Sequence, residues 1–325
     1  MPKCNAVFQG GGIKGTGFAG AVMALEDAGY LFENIAGTSA GAIVAALLAA
    51  GYTGREIRDE LMQVDYRIFL DASWPVQKSR IAKMINIAFK WGIYRADAFE
   101  NWLCGLLEKK GVRYFRDIRT GNPNHPYKFT AIASNITGRT ILLLPAGLAT
   151  YGIKPDDFPI ATAVRMSMCI PFYFEPYKLA VQDSTHVILD GGMLSNYPIW
   201  VLDDGSSYPQ IPTFGLRFTG KNVDTREKTY DSSIIGFTKS IIATLMGAWD
   251  NWHISESSGD YARTILIPTT IISQGKSKTV GTTEFDISDG DKKLLLENGL
   301  TAAREFLTGW DFDRWKKEYR RGLHV

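Results

Sequence analysis

Residues 34–51 read NIAGTSAGAIVAALLAAG. A short apolar strand, Asn34 to Ala36, runs into Gly37-Thr38-Ser39-Ala40-Gly41. An alanine-rich helix then continues to Ala50 and stops at Gly51. The pentapeptide is G-x-S-x-G. On a sharp strand-to-helix turn this pattern projects the serine hydroxyl from the end of a sheet, and small flanking residues relieve the crowding. The turn also sets Ser39 at a helix N-terminus, where developing negative charge is stabilised. The bare pattern recurs by chance, so its context matters, and an apolar strand before it with a long helix after it is the required context.

Upstream the same alternation is already present. Ala6-Val7-Phe8 reads as a strand entering Gly10-Gly11-Gly12-Ile13-Lys14-Gly15, and Thr16 to Ala28 reads as a helix ended by Gly29. Strand and helix alternating at this spacing predict an α/β fold, a mostly parallel sheet covered on both faces. Residues Arg55 to Asp117 read as mostly helical, with an apolar, aromatic stretch from Lys83 to Tyr94 and an amphipathic one from Ala96 to Lys110. Strand-like runs return at Tyr127–Ser134, Arg139–Leu144, His186–Leu189, Thr213–Phe218 and Arg263–Ile267. The polar segment Gln274 to Asp289 reads as a loop, Asp289 to Leu307 as a final amphipathic helix, and Arg314 to Arg321 as a solvated basic helix face. No linker divides the chain, so one domain over residues 1–325 is expected.

The chain has 325 residues, 45% hydrophobic and 22% charged, with a formal net charge of +2. That is ordinary globular composition and too mildly basic to indicate nucleic acid. Cys4, Cys104 and Cys169 are odd in number and far apart, which argues against a disulfide framework and a zinc knuckle. No metal or other cofactor is expected. The N-terminus lacks the basic start and apolar stretch of a secretory signal. No run approaches the roughly 20 apolar residues of a spanning helix, and the windows Ala36–Ala50 and Ile234–Trp249 are broken by polar or glycine residues. The expectation is a cytoplasmic chain with at most peripheral membrane contact.

Gly10 to Gly15 also fits G-x-G-x-x-G, a loop that stabilises negative charge on a pyrophosphate or on a reaction oxyanion alike. A dinucleotide site wants an acid at the end of the second strand. Here that strand ends in Gly37-Thr38-Ser39, and Glu33 lies at its other end. The P-loop spacing fails as well, because Lys14 precedes the last glycine.

A serine hydroxyl needs a base. The four histidines are His125 in a turn-like loop, His186 at the start of a strand, His253 between Trp252 and Ile254, and His324 in the tail. None has active-site context, and each reads better as a surface or core histidine. A partly desolvated carboxylate can serve instead. Asp190 is the best placed, directly after the apolar run Val187-Ile188-Leu189 and before Gly191-Gly192, although D-G-G alone is more often a plain turn.

Four blocks together resemble the patatin-like phospholipases, in which a Ser-Asp dyad replaces the triad. They are Gly10–Gly15 (the oxyanion loop), Gly37–Gly41 (the elbow), Arg165-Met166-Ser167-Met168-Cys169-Ile170-Pro171-Phe172, and Asp190-Gly191-Gly192 with Asn196-Tyr197-Pro198. The resemblance is firm over Ala6 to Pro198, with 55–117 as a helical insert and 199–325 completing the domain. Two departures stand out: Gln9 replaces an acid common before the glycine loop, and Met166, Met168 and Cys169 are bulkier than usual. No role transfers to Ser167. Arg165 reads either as a contact to acyl or phosphate groups or as a structural ion pair.

The resemblance implies a three-layer α/β/α fold and hydrolysis of glycerophospholipid esters. Ser39 would be the nucleophile, Asp190 the general base, and Gly10, Gly11 and Gly12 the oxyanion loop, with the N–H groups of Gly11 and Gly12 as donors. The substrate would come from a bilayer. Trp74, Phe89, Trp91, Ile93 and Tyr94, with Lys83 and Lys90 nearby, mark the insert as the approach surface, against the reading that they are core. Two other readings stay open: an α/β-hydrolase esterase whose triad uses His253 or His324, and a non-catalytic nucleotide-binding module on Gly10–Gly15.

Overall fold

The computed structural model describes residues 1–182, 184–203, 208–220, 244, 259–273 and 275–320. It opens as the alternation predicts: β1 (Lys3–Phe8), α1 (Gly15–Asp27), β2 (Leu31–Thr38) and α2 (Ala40–Ala49). The insert then supplies α3 (Gly54–Gln63), α4 (Trp74–Lys78), α5 (Arg80–Lys90) and α6 (Asp97–Lys109). Next come β3 (Phe129–Asn135), β4 (Thr140–Leu144), α7 (Ile160–Ser167), β5 (Tyr177–Val181), β6 (Ser184–Asp190), β7 (Thr213–Thr219) and β8 (Thr264–Pro268). The chain closes with β9 (Thr270–Ser273), β10 (Lys276–Thr279), α8 (Asp289–Gly309) and α9 (Phe312–Tyr319).

The main sheet runs β5-β6-β3-β2-β1-β7-β8, with β4 also on β3. It is parallel from β3 through β2, β1, β7 and β8, and antiparallel where β4, β5 and β6 join. Its central strands β1 and β2 are largely buried on both faces. Ala6, Phe8 and Ile35 belong to the large core with α1, α2 and α8, while Val7 and Ala36 pack the other way against Tyr197, Ile199 and Leu202. A sheet buried on both sides reads as continuous apolar runs rather than as alternation, which is how β1 and β2 read in the sequence.

One detail of pairing positions the site. β2 lies along the first half of β3, ending with Thr38 opposite Ile132. β6 takes over with Asp190 opposite Ala133 and runs the other way. β4 spans residues 131–135 of β3, so it must hold the opposite edge. The C-terminal ends of β2 and β6 therefore meet head-on along one edge of β3, at the Ile132–Ala133 junction.

Three expectations change. The segment Gln274–Asp289 is not all loop, because Lys276–Thr279 pairs with Thr270–Ser273 as a hairpin. β5, absent from the sequence reading, extends the sheet beyond β6. The basic tail is not wholly solvated, since Arg320 is buried and pairs with Asp203, which also receives Arg263 at 2.5 Å. All three cysteines are free. Among the described residues no helix is long and apolar enough to cross a membrane, and no cluster of metal-ligating side chains occurs. The window Ile234–Trp249, apart from residue 244, and His253 and His324 lie outside the described residues.

Candidate active site

Ser39 sits between β2 and α2 with φ 53° and ψ −124°. This is a strained conformation for a residue with a side chain, of the kind that persists only where the surroundings impose it. The surroundings here are tight. A Cβ on Gly41 would stand 2.4 Å from the Phe8 carbonyl oxygen, and one on Gly37 would stand 2.5 Å from the Gly41 backbone. Only glycines let the strand, the elbow and the helix close this far.

A second serine holds the turn. The Ser39 N–H donates to Ser167 Oγ at 2.9 Å, and that hydroxyl donates to the Ile132 carbonyl at 2.5 Å. Ile132 is the residue at which β2 gives way to β6, so its carbonyl needs a donor that no strand supplies. Ser167, at the end of α7, is fully buried. The sequence reading gave it no role.

Asp190 is 3% exposed and Ser39 6%. The aspartate is anchored by its own backbone, its N–H donating to the Cys169 carbonyl at 2.9 Å and its carbonyl accepting from Ser134 Oγ at 2.9 Å. One carboxylate oxygen accepts the Gly192 N–H at 2.7 Å. Burial pushes its pKa up to about 6, while hydrogen bonds from the Ser39 side chain and the Gly192 N–H pull the other way. A carboxyl held near 6 is mostly ionised at neutral pH yet basic enough to accept a proton.

The glycine loop passes directly beside the elbow. A Cβ on Gly10 would lie 3.4 Å from Ser39 Cβ and 2.2 Å from Asn196 Oδ1. Gly12 has φ +61° and opens a short 3-10 turn. The donors are not equivalent. Gly10 N–H is already bonded to the Asn196 carbonyl at 2.9 Å, and Ile13 N–H to the Thr282 carbonyl at 3.2 Å. Gly10 therefore brings the loop close to the elbow without offering a free donor. The N–H groups of Gly11 and Gly12 carry no such bond to a described residue.

Thr282 also bears on the nucleotide reading. Its carbonyl lies 1.9 Å from where a Cβ on Gly12 would be. It takes the Ile13 N–H out of the set of loop donors open to a pyrophosphate. Lys14 flanks the loop with its ammonium 5.1 Å from the Phe218 ring centre, and burial lowers its pKa to about 8. Gln9 replaces the more usual acid and is satisfied, accepting the Phe218 N–H at 2.8 Å.

From Ser39 a narrow, mainly apolar cavity leads under the insert, lined by Ile43, Val44, Phe69, Trp102, Met168, Phe174 and Phe285 among others. The bulky Met168 of the middle block is thus a wall residue. Arg165 is not at this cavity. It bonds the Arg95 carbonyl at 2.5 Å, lies 3.4 Å from Glu100 and faces the Tyr177 ring, which makes it a structural ion pair. His186 contacts Asn135 and Tyr151, and His125 lies in a polar pocket with Glu33, Asn34 and Arg263, at the N-terminal ends of β2 and β8. Neither approaches Ser39.

A three-layer α/β sheet carrying a serine elbow beside a glycine loop defines the class. The chain belongs to the patatin-like phospholipase family, whose model matches residues 6–203. It is 35% identical to the uncharacterized protein YqhO of Bacillus subtilis, over 95% of this chain and 99% of that one. An uncharacterized protein of Acanthamoeba polyphaga mimivirus is 26% identical, over 93% of this chain and 92% of that one. Among solved structures, VipD from Legionella pneumophila superposes with a TM-score of 0.56 at 18% identity, over 94% of this chain and 67% of VipD. The type III effector ExoU superposes with a TM-score of 0.51 at 16% identity, over 97% of this chain and 54% of ExoU. These likenesses concern the fold.

Proposed function

We propose that the protein is a lipid acyl hydrolase that cleaves carboxylic esters of glycerophospholipids through an acyl-enzyme on Ser39. Ser39 Oγ attacks the ester carbonyl while Asp190 takes its proton. The tetrahedral oxyanion is held by the N–H groups of Gly11 and Gly12. The alcohol leaves with the proton that Asp190 returns, and a water activated by the same carboxylate then hydrolyses the acyl-enzyme. Removing one oxyanion donor typically costs about 3 kcal/mol of transition-state stabilisation.

The observation that carries this reading is the head-on meeting of β2 and β6. It brings a strained serine and a buried carboxylate with a pKa near 6 together at one junction. The apolar cavity opening on Ser39 supports an acyl chain as the group bound. Family membership supports a lipid ester as the substrate class.

The test is acyl release over a phospholipid panel, with fluorophosphonate labelling to locate the activated serine. Ser39→Ala is expected to lose both, and Asp190→Asn to lose turnover, with the fold retained in each. Near-full activity in Asp190→Asn together with loss in His253→Ala or His324→Ala would point to a triad instead.

A further inference from the structure

α5 is amphipathic in an unusual sense. Its large apolar residues Ile81, Met84, Ile85 and Phe89, with Ala88 between, fall at i, i+3, i+4, i+7 and i+8, the spacing of a single helical stripe. In a helix that packs on a core this stripe points inward. Here it points outward: Ile81 is 72% exposed, Met84 62%, Ile85 52% and Phe89 81%. The partly buried positions are Ala82, Lys83, Asn86 and Ile87. Trp74 on α4 and Trp91 at the end of α5 are exposed beside it. A run of apolar side chains this size in water marks a docking surface.

The charged residues of the excursion itself are all basic. Residues 72–96 contain Lys78, Arg80, Lys83, Lys90 and Arg95 and no aspartate or glutamate. Lys178 of β5 adds another cation 5.8 Å from the Trp91 ring centre. Lys90 has a carboxylate near it, Glu175 at 3.3 Å. Apolar bulk on the outward face with basic residues in the same excursion, closed by tryptophans, is the chemistry of a helix lying in a lipid interface. The apolar face enters the acyl boundary and the cations meet anionic headgroups.

Both ends of this excursion are fastened to the wall of the apolar cavity. Before it, Phe69 lines the cavity, and Asp71 then accepts the N–H groups of Ala96, Asp97 and Ala98 at 2.7–3.0 Å. After it, the N–H groups of Ile93 and Tyr94 donate to the Tyr173 carbonyl at 3.1 and 3.0 Å, and Gly92 is packed against the backbone of Phe174, another cavity residue. Ile93 and Tyr94, expected from the sequence on the approach surface, are instead half-buried parts of this anchor.

We propose that the outward stripe of α5 is the surface by which the protein docks on anionic membranes, setting the cavity over the lipid. The proposal takes from the preceding section only that the substrate is a membrane lipid. The partner is a bilayer rich in acidic headgroups, with Ile81, Met84, Ile85 and Phe89 inserted and Lys78 and Lys178 at the headgroup level.

The test is co-sedimentation of the full chain with phosphatidylcholine vesicles, with and without about one quarter phosphatidylglycerol. It is run in the Ser39→Ala background so that binding is read without turnover. The parent is expected to bind the anionic vesicles more tightly and to release them as salt is raised. Ile85→Glu with Phe89→Glu is expected to weaken that binding by at least about ten-fold with an unchanged thermal midpoint. Ile85→Ser with Phe89→Ser serves as a milder second variant should the charges disturb the fold. Equal binding of the parent to both vesicle types overturns the anionic assignment. Unchanged binding of the variants overturns the docking face. So does a parent that sediments as a dimer, becomes monomeric in the variants and ignores vesicles. Failed serine labelling with intact vesicle binding would sink the catalytic reading alone.

Discussion

The N–H of Ser39 and the hydroxyl of Ser167, 128 positions apart in sequence, are joined at 2.9 Å, and the same hydroxyl donates to Ile132. The bond fixes the backbone of the candidate nucleophile without touching its side chain. Ser167→Ala leaves one buried carbonyl unpaired and one N–H without its acceptor, a loss of about 1–3 kcal/mol in stability. Ester hydrolysis is expected to fall in kcat more than it rises in KM, because the elbow is loosened rather than the lipid site. Chemical denaturation with steady-state kinetics checks both, and an unchanged kcat would remove Ser167 from any positioning role.

The rate should follow the ionisation of Asp190. With its pKa raised to about 6 by burial, kcat/KM is expected to rise with pH and reach half its plateau near 6. A profile flat from pH 5 to 8 would exclude this carboxylate as the base.

The same shift has a cost in stability. An acid whose folded pKa lies above its unfolded value destabilises the fold fully above the folded pKa and not at all below the unfolded one. Asp190→Asn should therefore be more stable than the parent at pH 8, by up to about 3 kcal/mol for a shift of this size. The difference should close as the pH falls below the unfolded carboxyl pKa. Urea melts at two pH values measure it.

Ser39→Gly and Ser39→Ala should both be inactive yet differ in stability. Only glycine is at ease at φ 53° and ψ −124°, so Ser39→Gly is expected to unfold later than Ser39→Ala by about 1 kcal/mol or more. Equal midpoints would mean the elbow is not strained.

Chain length should be read by the cavity. Ile43 lines it one helical turn from Ser39, so Ile43→Phe narrows it. Activity on long acyl esters is expected to drop about ten-fold relative to short ones, about 1.4 kcal/mol in differential binding. A panel of acyl lengths tests this, and a uniform loss at every length would point to general damage.

Much of the site is local, and local features are legible in sequence. Gly37–Gly41 and Gly10–Gly15 are turns whose geometry depends on neighbouring glycines, and Asp190 follows its own strand directly. What escaped the sequence depends on register. Ser167 matters because Ile132 lies where one strand hands over to another, and nothing near residue 167 records that. Gly10 loses its donor to Asn196, 186 positions away. The second strand of the small hairpin, Lys276–Thr279, has no apolar residue, so no alternation marks it. For α5 the sequence shows an apolar, aromatic stretch, but not the direction in which those side chains face.

The glycine loop is held from beyond the family match. Phe218 bonds Gln9, Thr282 bonds Ile13, and α8 crosses α1 so closely that a Cβ on Gly299 would lie 1.8 Å from the Gly17 carbonyl. β7 also covers the outer flank of β1. A fragment ending at residue 203 would keep Ser39, Asp190 and every matched residue, yet β1 would become a bare edge strand with its hydrogen bonds open to any passing chain. Such a fragment is expected to self-associate through that edge, so the family-matched part of the sequence depends on the remainder for its solubility as much as for its shape.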